Sequence, residues 1–473
     1  MEGHHHTHHP KAWNEYIEEF LMLSFTFFLG FNAEHRLKYK VERQKELRVY
    51  FRGIIGLFVF LLAQTQSEAR FSVHYTSDSS AFKQFKGSIL DSKTKNELIF
   101  ASITVSGTSI STISNSEGKF SIKIPTEKQH SNLIISFLGY KNKVVSIQEL
   151  LPEKNVLYLE PSNTMLEEVV VNVRDAKNIF LGVLSSRLQN YGNEAIQMTG
   201  FYRETIRKRR TYVSLSESIV NIQKEPFSAS SQDQINLFIG RKNVDYNKLD
   251  TLNFKLQGGP FSALFLDLIK YPNFIFSEHA FDLYDFSLED ITQINDNQVL
   301  VLAFKQKPSY EDPLYYGKMY IDVKSLAVIS ATFNLNVEDK VKAGLIFTRK
   351  KPTGVDVYPT EVRYQINYRQ DKDKWIFAYS RADLTFKLNW DKRLFNTIYS
   401  TTLEMAVTDW KKQDLKANLN TQKLTSNVIM SDKVSSLSDP NFWGEYNIIE
   451  PEKSIESAIR KIQRKILNER SID

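Results

Sequence analysis

The sequence predicts a mainly β protein: a seven-stranded β-sandwich over residues 83–160, then a large, twisted antiparallel sheet with a few helices over 177–412. Three observations lead there. Short runs of alternating apolar residues recur through 83–160, separated by turn residues at sandwich spacing. Beyond about residue 199 the hydrophobic period is two rather than that of a helix. Phe and Tyr number 32 and 22 against 18 Gly and 13 Pro, a bias towards pleated strands and away from linkers.

Composition narrows the classes further. A chain of 473 residues predicts two or three domains with ample core. Apolar residues at 42% and charged residues at 25% describe a globular chain. The 61 Lys and Arg against 55 Asp and Glu give +6, too dilute over this length to argue for nucleic acid. Cysteine is absent, which excludes disulfides, thiolate zinc sites, iron–sulfur clusters, Cys nucleophiles and a lipid-modified N-terminal Cys.

Residues 1–69 read as a leader. His4, His5, His6, His8 and His9 suit a tag or a spurious upstream frame better than a metal site. The apolar run 53–63, GIIGLFVFLLA, follows Arg48 and Arg52 and is shorter than the roughly 20 residues of a spanning helix. A basic start, a short apolar centre and small residues after it are the anatomy of a secretory signal, with a membrane anchor or a buried helix as the alternative. The expected mature chain starts between Gln64 and Arg70.

The sandwich strands follow in order. Phe85–Leu90 is turned by Lys93–Asn96, and Ala101–Val105 by Gly107-Thr108. Thr112-Ile113 leads into the Asn115–Gly118 turn, and Lys119–Ile124 alternates until Pro125. Leu133–Phe137, Val144–Ile147 and Val156–Leu159 complete an expected antiparallel sandwich.

These residues carry a family pattern. Gly87-x-Ile89-x-Asp91, Ala101-x-Ile103-x-Val105-x-Gly107-Thr108, Asn115-x-Glu117-Gly118-x-Phe120-x-Ile122 and Ile135-x-Phe137-x-Gly139-Tyr140, with the Leu166–Val171 tail, resemble the carboxypeptidase regulatory-like domain. The stretch is similar to the N-terminal extension of SusC-like, TonB-dependent outer-membrane receptors of Bacteroidetes. The resemblance implies a transthyretin-like accessory module, not the peptidase. The roughly 300 residues that follow are too few for a receptor's plug and barrel. Zinc peptidase chemistry needs an HxxE pair and a distant His, because two imidazoles and a carboxylate must converge on the metal. After the leader the chain has His74, His130 and His279, none with Glu three residues on; His279 has Asp282 there.

A linker is expected at 161–176, then a helix at Lys177–Tyr191. Strands are expected at Thr199–Lys208, Thr211–Lys224, Gln234–Arg241, Gln298–Phe304, Gly317–Asp322, Leu326–Asn336, Val341–Arg349, Glu361–Arg369, Trp375–Leu388 and Thr397–Trp410. Gly259–Lys270, with Pro260 at its start, reads as a helix. The order resembles envelope domains of Bacteroidetes that begin with a Phe-Tyr-Arg-Glu strand, here Phe201–Glu204, and more loosely the half-barrel of LolA-type lipoprotein carriers. Residues 439–443 and Glu450-Pro451-Glu452, in the C-terminal segment 413–473, resemble parts of the same envelope family. Ser454–Asn468 has the stripe of an amphipathic helix.

Candidate sites are few. Ser80-x-x-Lys83 and Ser92-x-x-Lys95 lack the partner motifs that a Ser–Lys nucleophile needs. Phe261, Phe265, Tyr271, Phe274, Phe276 and Phe281 could pack a helix on the sheet or wall a groove for an acyl chain, a peptide or a partner's segment. Arg207-Lys208-Arg209-Arg210 at a hairpin tip is a candidate contact for anionic headgroups or an acidic partner, with Glu204 and Glu217 placed to neutralise part of it. The expectation is a non-enzymatic, cofactor-free protein exported to the periplasm, peripheral to the outer membrane and engaging a protein partner there. The alternative is a carrier for a lipid or peptide ligand.

Overall fold

The computed structural model describes residues 26–31, 81–162, 175–229, 231–244, 252–272, 275–277, 279–294, 297–351, 353–391, 394–412, 422–436, 442–457 and 459–460. The signal-like run, most of the expected linker, Phe274, His74, Ser80 and most of the expected terminal helix lie outside them.

Strand β1 (Thr26–Phe31), which lies inside the leader expected at 1–69, instead pairs with β12 (Leu252–Gln257) and β17 (Thr348–Lys350) in a small three-stranded sheet, because its apolar run supplies a strand that the edges of those two can hydrogen-bond. The sandwich comprises β2 (Phe82–Asp91), β3 (Ser102–Val105), β4 (Ser111–Ile113), β5 (Lys119–Pro125), β6 (Asn132–Ser136), β7 (Lys143–Ser146) and β8 (Asn155–Leu159). Its two sheets have the orders β5-β2-β8 and β4-β3-β6-β7. Alternation puts Ile89, Ile103, Phe120, Ile122, Ile124, Leu133 and Ile135 inside, fully buried. All seven expected strands are present, but β8 runs parallel to β2, so the sandwich is not wholly antiparallel. Alternation marks which face a residue takes and is silent on strand direction. A side chain at Gly87 would run into the Asn155 carbonyl on β8, so this parallel pair requires glycine.

The large sheet holds β9 (Ile196–Lys208), β10 (Thr211–Lys224), β11 (Gln234–Val244), β13 (Tyr284–Ile294), β14 (Asn297–Gln306), β15 (Tyr315–Asp322), β16 (Val328–Leu335), β18 (Val355–Asp371), β19 (Lys374–Trp390) and β20 (Thr397–Lys412). The order is β13-β14-β15-β16-β18-β19-β20-β9-β10-β11, extended by short β21 (Gln422–Lys423). A meander from β13 to β20 therefore returns to the first hairpin, and Ala406 of β20 lies opposite Phe201 of β9.

The inner face is covered by α1 (Ala176–Ser185) and by the segment that starts with α3 (Pro260–Leu264). Phe180 of α1 packs against Phe276, Phe281 and Phe286 with ring centroids 4.7–5.6 Å away. Ser380 of β19 donates to the Ala263 carbonyl at 2.7 Å. Helix α1 stops at Ser186, whose hydroxyl bonds the Gly182 carbonyl at 2.7 Å, and a four-residue turn of helix, α2 (Arg187–Asn190), follows. The expected helix at 259–270 is α-helical only through Leu264, because the Asp267 carboxylate takes the Ile269 amide at 3.1 Å and bends the chain.

One expected strand is a helix. Residues 341–349 fold mostly as α5 (Lys340–Phe347), which follows α4 (Ala280–Leu283) in the chain. Asp339 caps it by accepting from the Val341 and Lys342 amides, both at 3.0 Å. Gly344, 2.8 Å by its missing Cβ from the Val357 carbonyl, lets the helix lie directly on β18. Among the described residues, no helix is long and apolar enough to cross a membrane.

Candidate functional site

The strand Phe201–Glu204 sends its residues alternately to the two faces. Phe201 and Arg203 face outward; Tyr202 and Glu204 face the inner core. The outer face is unusual for its buried charge. Arg203, 1% exposed, donates to Glu217 at 2.8 Å and to Glu404 at 3.1 Å. Glu217 also holds Arg241 at 2.7 Å, and Glu404 also holds Arg381 at 3.2 Å and the Tyr379 hydroxyl at 3.1 Å. Burial alone would raise the Glu217 carboxyl, but Arg241 and Arg203 beside it hold it below the ordinary carboxylate range. Each cation thus meets a carboxylate, the condition under which such groups stay charged out of water.

This face is covered by residues 442–452 and by the sandwich. Arg203 donates a third bond to the Ile449 carbonyl at 2.7 Å. Trp443 packs edge-on to Phe201 at 5.6 Å, with the Arg241 guanidinium 4.8 Å from its ring. The segment's other side binds the sandwich. Thr112 donates to the Ile448 carbonyl at 3.1 Å, Asn115 to the Glu450 carbonyl at 3.0 Å, and Lys86 pairs with Glu450 at 3.0 Å. Direct contacts flank the wedge: Phe100 stacks on Tyr379 at 5.5 Å, and Ser111 donates to the Val407 carbonyl at 3.1 Å.

Beside this joint, a cleft of about 1270 Å³ opens between the sandwich loop 104–110 and one end of the large sheet. The sheet's contribution comes from residues 191–198, 224–227, 267–270, 368–377 and 409–411. Within its lining, Lys224 reaches Asp267 at 2.8 Å, and Asp233 lies 3.2 Å from the same amine. Tyr368 donates to Asp267 and Tyr271 to Asp233, both at 2.8 Å. Burial alone would lower the Lys224 amine, but Asp267 and Asp233 raise it, so it remains a fixed cation and a poor nucleophile. Trp375, Phe227 and Trp410 supply apolar wall, and Arg369 stacks on Trp410 at 4.1 Å while donating to Thr104 of the sandwich at 3.3 Å. The arrangement offers flat rings, a paired buried charge at Lys224 and Asp267, and exposed turn backbone: it can bind, and among the described residues it shows no activated base beside a nucleophile.

The sequence candidates fall as follows. Phe261, Phe265 and Phe276 are buried in the inner core, and Tyr271 and Phe281 pack against it; the cleft is lined by other residues. Arg207–Arg210 do form a hairpin tip, with Arg209 and Arg210 exposed. Neither Glu204 nor Glu217 neutralises it, because Glu217 is held by Arg203 and Arg241 and Glu204 faces the core beside Tyr202. His130 pairs with Gln148 on the sandwich at 2.6 Å, and His279 lies 3.8 Å from Asp282 on the large domain. The Lys95 amine donates to the Ser92 backbone carbonyl rather than to its hydroxyl. Sequence reading missed the charge network and the cleft. The available signal was a row of charged residues on strands that otherwise alternate apolar and small: Arg203, Glu217, Arg241, Arg381 and Glu404.

Comparison with known proteins agrees on the first module. Residues 85–171 match the family model of the CarboxypepD_reg-like domain. No curated protein matches the chain. Similar solved structures include a domain named for outer membrane lipoprotein sorting from Vibrio parahaemolyticus, 11% identical, covering 52% of this chain and 96% of that one with a TM-score of 0.23. MucB in complex with MucA(peri) is 13% identical over 51% of this chain and 100% of that one, TM-score 0.17. A DUF1329 family protein from Desulfovibrio piger is 10% identical over 51% and 95%, TM-score 0.21. Likenesses this remote bear no weight on function.

Proposed function

We propose that the chain is an exported, non-catalytic binding protein of the cell envelope, working on the periplasmic side of the outer membrane, and that its cleft takes an extended segment of a partner protein. The construction of the cleft carries this reading. Sandwich and sheet build it jointly, and its volume of about 1270 Å³ exceeds the roughly 300–1,000 Å³ of small-ligand sites. Its buried charges at Lys224 and Asp267 are already paired, while its rings and turn backbones suit a polypeptide. The signal-like run at 53–63 supports export, and the resemblance of the sandwich to an accessory module of Bacteroidetes receptors supports the compartment. A carrier for an acyl chain has less support, because the chain's own rings fill the inner face.

The absence of cysteine makes the test clean. A Ser106→Cys variant, labelled at the cleft with a photoactivatable maleimide and irradiated in intact envelopes, is expected to give one protein adduct that a Val156→Cys variant does not. Adducts with lipid alone, or the same adducts from both positions, would overturn the proposal.

A further inference from the structure

The strands that form the cleft at one end carry a different surface at the other. Two turns meet there. The β9–β10 turn carries Arg207-Lys208-Arg209-Arg210, and the connection from β19 to β20 reads Asp391-Lys392-Arg393-Leu394-Phe395-Asn396, of which Lys392 and Arg393 lie outside the described residues. The turns are fastened together. The Arg209 amide donates to the Ile398 carbonyl at 2.9 Å, its guanidinium reaches the Asn396 carbonyl at 3.5 Å, and Lys208 sits opposite Tyr399. Leu394 is 96% exposed and Phe395 77%, and Ile398 beside them is 43% exposed. A scattered apolar side chain on a surface needs no explanation; three adjoining ones on a pair of turns bearing four basic residues among those described do.

The same end continues along the sheet. Tyr358, Lys387 and Ile398 lie in one row across β18, β19 and β20. The Lys340 amine of α5 rests 5.5 Å from the Tyr358 ring. That helix buries Ala343, Gly344 and Phe347, and so turns Val341 and Leu345, four residues apart, to the outside at 75% and 74% exposure. Acidic residues are present on this flank: Lys342 pairs with Glu311 at 3.4 Å and with Asp312 at 3.3 Å, so the cationic part of the surface is the β9–β10 turn.

We infer that this end of the sheet docks on an anionic lipid bilayer. Leu394 and Phe395 enter the boundary between headgroups and acyl chains, and Arg207, Arg209 and Arg210 meet the headgroup phosphates. Charge complementarity fixes the sign of the surface. The shape argues for lipid over protein. Side chains that protrude from turn tips find no matching pocket requirement in a fluid interface, whereas a protein interface needs packed complementarity. The inference stands apart from the cleft reading, since either end can work without the other.

The test is flotation of the full chain with vesicles of phosphatidylcholine alone or mixed with phosphatidylglycerol. Wild type is expected to float with the mixed vesicles and to be released by high salt. Leu394→Ser with Phe395→Ser, and separately Arg207→Glu with Arg209→Glu and Arg210→Glu, are each expected to weaken binding by more than about tenfold. The leader's apolar run is common to all variants, so binding that both variants retain would overturn the inference. So would equal binding to phosphatidylcholine alone, or capture of an acidic protein that depends on the three arginines while no vesicle binds. A Phe395→Trp variant keeps the test independent of the multiple substitutions. Its emission is expected to shift to the blue with anionic vesicles, and an unshifted spectrum would refute insertion.

Discussion

Glu204 is where a single proton should be felt by the whole molecule. Its carboxyl is 3% exposed on the inner face of β9, with the Tyr202 hydroxyl donating to it at 2.9 Å and no cation paired with it among the described residues. Burial pushes it up to about 7, from an ordinary value of 4.5. Between those two values the folded protein keeps a proton that the unfolded chain releases. Stability therefore falls as pH rises through this window and levels off above it. At about 1.4 kcal/mol per pH unit, the full effect is about 3 kcal/mol. Glu204→Gln keeps an acceptor for Tyr202 and removes the charge. Urea unfolding of both proteins from about pH 4.5 to pH 8 should show near-equal stability at the acid end, and a variant more stable by up to about 3 kcal/mol at the alkaline end. A difference that does not change with pH, or a variant less stable throughout, would show that the carboxyl is solvated or paired after all.

Two further outcomes follow from the outer face. Arg203→Met leaves Glu217 with Arg241 and Glu404 with Arg381, so the loss should fall at the lower end for a broken buried pair, about 3 kcal/mol by urea unfolding; a neutral effect would mean the network contributes no stability. Proteolytic cleavage within 163–174 should leave sandwich and sheet together in native chromatography, because residues 442–452 bind both. Trp443→Ala, losing about 3 kcal/mol, should let the pieces separate, and separation of the cleaved wild type would refute the wedge.

The sequence made the sandwich readable because each of its strands alternates and its turns carry glycines that need the left-handed region, such as Gly107 at φ +72° and Gly118 at φ +66°. It made most of the large sheet readable for the same reason, and the Thr211–Lys224 strand has the expected bounds. The failures are those of tertiary override. Val341–Phe347 is apolar enough for a strand, yet the Asp339 cap and the close seat of Gly344 on β18 make it a helix. Strand Tyr284–Ile294 was not expected, since its polar residues blur the period of two. The cleft was illegible in principle. Loop 104–110 and the turn at 371–374 lie more than 260 residues apart, and only the docking of sandwich on sheet brings them to one site. Arg203 was visible as part of a strand pattern, but nothing local marks which carboxylates, from 14 and 201 residues away, will meet it.

The wedge at 442–452 also sets a timetable. A ribosome releases the sandwich and then the sheet, and either can begin to close its own core as it emerges. The joint between them cannot close then, because the groups that bridge Arg203 to Thr112 and Asn115 belong to residues made some 240–340 positions later. Until that stretch arrives, the cations and carboxylates of the outer face remain wet and Phe201 and Ile219 uncovered. The final fastening is thus among the slowest contacts the chain can form, joining parts at extreme separation in sequence. For the export proposed above, in which a chain is threaded unfolded through a translocon, this order is useful: the step that makes the fold hard to undo comes only when synthesis of the wedge is complete.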